Sequence, residues 1–139
     1  MTCKNPTLCE KKYKRWKNNQ MVFVPIGEQE HELFLKYVKQ GSADIGIHPH
    51  ADKRQFERTV SNSDMKDVIL HGWVMERNID FESQAVRLVI LGYSKTYRPI
   101  HVVTEILNER EWEIITVYSP ESKGYKWSKD FDERICFCK

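Results

Sequence analysis

The chain changes its hydrophobic period near its middle. After Pro25 and Gly27, the stretch Glu28 to Gln40 places Leu33, Phe34, Tyr37 and Val38 on one side of a 3.6-residue repeat and stops before Gly41-Ser42. That spacing predicts an amphipathic helix. A second helix is predicted from Pro49 to Arg58, with proline in a first-turn position where its missing N–H costs nothing. Ser61 and Asp64 form a capping-box pattern, and Met65, Val68 and Ile69 supply the buried stripe of a third helix that ends at Gly72. Beyond Gly72 the apolar positions recur as in strands, over Trp73 to Asn78, Ala85 to Tyr93, Ile100 to Leu107 and Trp112 to Tyr118. Short polar connections between these runs suit an antiparallel meander. The expected fold is therefore α+β, with two or three N-terminal helices packed on a four-stranded antiparallel sheet. The last segment, Lys126 to Lys139, is expected to tuck Trp127 and Phe131 against that core.

Length adds that 139 residues at 40% hydrophobic composition support one packed core rather than two. Residues 1–45 read as a basic extension with one amphipathic helix, and residues 46–139 as the domain proper. No apolar run approaches the length a bilayer requires, so no membrane partner is expected. The N-terminus runs directly into a basic stretch without the apolar core of a secretory signal, which predicts a cytoplasmic, reducing location.

The charge is unevenly spread. Of 22 Lys and Arg, six fall within residues 1–20 against the single acid Glu10, while the remaining 16 face 19 of the 20 acids. Attraction to nucleic acid must then come from the N-terminal arm or from a local cluster. Tyr13 and Trp16 inside that arm fit either base stacking beside phosphate contacts or an amphipathic helix docking on the domain.

Four blocks carry a family resemblance: HPHADKRQFER at 48–58, DVILHGWVMER at 67–77, RPIHVVTE at 98–105 and ITVYSPESKGYKW at 115–127. In this order the chain resembles uncharacterised-domain family 4258, a relative of RelE/BrnT-type ribonuclease toxins in the barnase, EndoU, colicin and RelE grouping. The resemblance implies a helix-then-sheet fold, RNA as substrate, and an antitoxin or other protein as partner.

Metal-independent RNA cleavage needs a base at the 2′-hydroxyl, an acid at the leaving oxygen and cations around the phosphate. Family logic assigns the proton-transfer pair to His50 and His101, phosphate binding to Arg54, Arg58 and Arg98, and a hydroxyl donor to Thr116 or Tyr118. The competing expectation is a non-catalytic RNA- or protein-binding module, or a phage-type accessory protein, on the same fold. Tyr118 and Trp127 would then stack on bases or pack the core.

All four cysteines lie at the chain ends: Cys3, Cys9, Cys136 and Cys138. If the termini meet, four thiolates could hold structural zinc tetrahedrally, with no open position for catalysis. Their spacings, Cys-x5-Cys and Cys-x-Cys, differ from common zinc knuckles, and reduced thiols or a redox pair are the alternatives.

Overall fold

The computed structural model describes residues 2–49, 51 and 60–138, with residues 19–26 described by their backbone alone. The element order is α1 (Pro6–Lys39), β1 (Asp44–Ile47), α2 (Asn62–His71), β2 (Trp73–Ile79), β3 (Val86–Tyr93), β4 (Pro99–Asn108), β5 (Glu111–Tyr118) and a 3-10 turn over Pro120–Lys126. The helix expected over 49–58 lies outside the described residues, apart from Pro49 and Ala51.

Four strands fall within a residue or so of where the alternation places them. The sheet nevertheless has five strands and is mixed, in the order β1-β5-β4-β3-β2, with β1 parallel to β5 and the other pairs antiparallel. The expectation of four antiparallel strands fails because Asp44–Ile47 is only four residues long and lies far in sequence from its partner β5. So short a run has no readable period. Gly41, at φ +71, makes the turn that feeds it from α1.

The helix expected over Glu28 to Gln40 is the last part of a 34-residue helix that passes through Pro25. An interior proline costs a helix roughly 3 kcal/mol, which is why the sequence reads as broken there. The helix is nonetheless continuous, and both its ends are packed on the rest of the chain. Near its C-terminus Phe34 stacks on Trp112, ring centroids 4.1 Å apart, and His31 donates from Nε2 to the Ile69 carbonyl of α2 at 2.6 Å. α2 begins with the expected capping box, the Ser61 hydroxyl accepting from the Asp64 N–H while the Asp64 carboxylate accepts from the Ser61 N–H.

The helices cover one face of the sheet, where Phe34, Met65, Ile69, Leu88, Ile90, Val102, Trp112 and Ile114 form the main core. The other face carries a smaller cluster of Met75, Val89, Leu91 and Trp127, with Val103, Tyr118 and Phe131 against it. β3 is consequently buried on both sides, which accounts for the unbroken apolar run from Leu88 to Leu91. The covering element on this second face is the C-terminal segment, and with it comes the polar chemistry of the molecule.

Candidate functional site

The two chain ends meet. Asn5 caps α1 by accepting from the Leu8 N–H at 3.1 Å, and Pro6 starts the helix, so Cys9 sits in its first turns. At the other end, the N–H groups of Ile135 and Cys136 both donate to the Lys126 carbonyl, at 2.8 and 3.2 Å, and aim the tail at α1. The four sulfur atoms of Cys3, Cys9, Cys136 and Cys138 all lie within 4.8 Å of one another. Individual separations are 3.6 Å for Cys9–Cys138 and 3.9 Å for both Cys9–Cys136 and Cys3–Cys138.

A Zn–S bond of about 2.3 Å in a regular tetrahedron gives a sulfur–sulfur edge of about 3.8 Å. These three separations lie close to that edge and no pair exceeds 4.8 Å, whereas a disulfide requires about 2.05 Å. Cys9 and Cys136 are buried, and the Phe137 N–H donates to the Cys9 sulfur at 3.3 Å. The backbone at Lys4, followed by the Cys9 thiol, holds Cys138 down at about 6, while burial pushes Cys3 up to about 12. The donor set is all sulfur and four-fold, as a closed zinc site needs.

On the second sheet face, β4 and β5 place His101 opposite Tyr118. His101 is fully buried, and its Nε2 lies 2.8 Å from the Phe131 carbonyl, which can only accept, so Nε2 carries the proton. Nδ1 then accepts from the Tyr118 hydroxyl at 3.2 Å. The Trp127 ring meets the imidazole edge-on, 4.5 Å between centroids. Burial, helped by the Arg134 charge, drives the His101 pKa down to about 4, and burial pushes Tyr118 up to about 12. At neutral pH both groups are neutral. His101 has its two nitrogens occupied within the fold, which is the arrangement of a structural histidine.

Beside this pair, the buried Glu76 carboxylate of β2 accepts from Arg134 at 3.1 Å (Nε) and 3.4 Å (Nη2) and from the Asn78 amide at 3.1 Å. The Arg134 guanidinium lies over the Trp127 ring, 4.6 Å from its centroid. Arg134, Tyr118 and Thr116 line a cleft of about 350 Å³ together with Ser119, Ser122, Lys123 and Lys126. No lining residue among those described is acidic, and neither lysine is in an ion pair with another described residue.

Of the residues singled out from the sequence, His101, Thr116 and Tyr118 gather on this side of the sheet. Arg98 does not join them: its guanidinium is exposed and pairs with Glu121 at 3.2 Å. His50, Arg54 and Arg58 lie outside the described residues. Tyr13 and Trp16 are docked rather than free, the Tyr13 hydroxyl donating to Glu133 and the Trp16 ring meeting Phe137 edge-on. Sequence reasoning missed Glu76, Lys123, Lys126 and Arg134. The one signal for Glu76 was an acid inside a strand whose neighbours Val74 and Met75 are apolar, and aperiodic surroundings hid the other three.

A sequence profile of the family described as Domain of unknown function (DUF4258) matches residues 47–119, just over half of the chain. The protein belongs to that family. No curated protein and no solved structure matches the chain. Among the described residues, no helix is long and apolar enough to cross a membrane.

Proposed function

We propose that the protein is a single-stranded RNA-binding domain that takes the phosphate backbone into the cleft over β5. The observation that carries this reading is the chemistry of the lining. Lys123 and Lys126 supply cations, Arg134 adds one that is already paired with Glu76, Thr116, Ser119 and Ser122 supply hydroxyl donors, and no acid is among the described lining residues. Cations release counterions from a polyanion, and hydroxyls add donors to phosphate oxygens. The half-buried Tyr118 ring stands where a base could stack. Zinc at the four thiols belongs to the same reading, as a structural cofactor with every coordination position filled by the chain.

The test is fluorescence anisotropy with a labelled mixed-sequence single-stranded RNA. Lys123→Glu/Lys126→Glu should weaken binding at least about tenfold and flatten its salt dependence. Unchanged affinity and salt slope would overturn the assignment of the cleft.

A second reading is the metal-independent endoribonuclease of RelE/BrnT toxin type, with a protein antitoxin as partner. The family resemblance and the presence of Thr116 and Tyr118 in a cationic cleft favour it; the burial of His101 speaks against an imidazole general base. Incubating the same RNA with wild type and Tyr118→Phe, and resolving the products, separates the two. Cleavage that disappears in the variant selects the nuclease; intact RNA that remains bound selects the binding domain.

A further inference from the structure

The polar and ring contacts that residues 3–17 make beyond their own helix fall on four tail residues among those described. Tyr13 and Lys17 reach Glu133, Trp16 meets Phe137, and Cys3 and Cys9 meet Cys136 and Cys138. The same tail reaches the sheet through two polar groups, the Phe131 carbonyl on His101 and the Arg134 guanidinium on Glu76. Arg134 is two residues from Cys136. The segment is closed at its base by Ser128 N–H to the Glu133 carbonyl and by an isolated bridge between Trp127 and Arg134, and its far end is held by the thiols, by the Trp16–Phe137 ring contact and by the Ile135 and Cys136 N–H groups on the Lys126 carbonyl.

We propose that one zinc ion held by Cys3, Cys9, Cys136 and Cys138 clamps the tail onto the sheet, so that metal occupancy decides whether Arg134 stands in the cleft. The effect on RNA rests on the reading above; the clamp itself does not. Binding one Zn²⁺ gathers four thiolates and releases the protons of those cysteines that are still thiols, with no change of oxidation state and no vacant position for water. The resulting doubly negative cluster is met by the Phe137 N–H and by the N-terminal end of α1, both of which favour negative charge. Without the metal, four thiols in contact offer each other little, and the tail end is left to the Trp16–Phe137 ring contact and to the pairing of Tyr13 and Lys17 with Glu133.

The experiment uses the full chain purified without added zinc. Elemental analysis should find one zinc per chain, and replacement by cobalt should give the visible bands of a tetrahedral thiolate complex. In the zinc form the His101 Nε2–H should exchange slowly by NMR, shielded by the Phe131 carbonyl; after chelation its exchange should rise at least about tenfold and return on adding Zn²⁺. Over the same cycle RNA affinity should fall at least about tenfold and recover. Cys136→Ser/Cys138→Ser should reproduce the metal-free state, and the chelation cycle on wild type stands in if that variant does not fold. A chain that neither carries zinc nor takes up cobalt overturns the site. Zinc whose removal leaves His101 exchange unchanged overturns the clamp. RNA affinity indifferent to a proven clamp overturns the switch, and failure of both forms to bind RNA overturns the RNA reading while the clamp stands.

Discussion

Phe34 of α1 lies flat on Trp112 of β5, with ring planes 12° apart and both side chains almost completely buried. The contact joins a residue outside the family match to one inside it. The C-terminal part of α1 is therefore part of the core rather than an appendage to it. Truncating a buried aromatic costs about 3–5 kcal/mol, so Phe34→Ala should lower the unfolding free energy by that amount in a urea titration. A loss under about 1 kcal/mol would mean that α1 contributes little to the core.

Arg134 and Glu76 yield the second prediction. The Glu76 carboxylate is 1% exposed and the Arg134 side chain 28%, so the pair is shielded on the acidic side. Removing one partner of a buried ion pair costs about 3–5 kcal/mol because the other charge is stranded. Arg134→Ala should destabilise accordingly, while Glu76→Gln/Arg134→Met, which removes both charges and keeps the volume, should recover at least half of the loss. Equal losses in the two variants would show that packing over Trp127, rather than charge, dominates.

Gly72 closes α2 for a reason the sequence did not suggest. Its φ of −81 is open to any residue, so it is not the left-handed glycine that commonly ends helices. A β-carbon there would stand 2.4 Å from the Leu91 carbonyl oxygen and 2.5 Å from that of Val68, both backbone atoms. Gly72→Ala should cost about 3 kcal/mol through overpacking. Gly124→Ala meets nothing within 4 Å and should leave the melting temperature unchanged. Similar melting of the two variants would refute the steric account.

These relationships mark where the sequence was readable. The capping box at Ser61 and Asp64 and the alternation of four strands are local patterns, and they reappear in place. Pro25 carries a local penalty that does not break α1, and β1 is defined by a parallel partner beyond the reach of any short window. Confinement of all cysteines to the two ends was visible as a pattern; the separations that fit a tetrahedron were not. His101 looked like a catalytic candidate because a strand histidine among Ile100, Val102 and Val103 shows its alternation but not what covers it. The cover is the Phe131 carbonyl, 30 residues further on.

Burial of the ring sets the pH response, against the Phe131 carbonyl, which favours the protonated form. The folded-state pKa of His101 is depressed from 6.5 to about 4, chiefly by burial. The unfolded chain therefore binds the proton more readily, and protonation pulls toward unfolding. The stability associated with neutral His101 is complete above about pH 6.5, declines as the pH falls, and is fully lost below about 4. At 1.36 kcal/mol per unit the loss is at most about 3 kcal/mol. Urea titrations at pH 7.5, 6, 5 and 4 should show this decline in wild type, and His101→Gln, which can donate to the Phe131 carbonyl without titrating, should flatten it. A wild-type profile level between pH 6.5 and 4, or an equal slope in the variant, would remove His101 as the source.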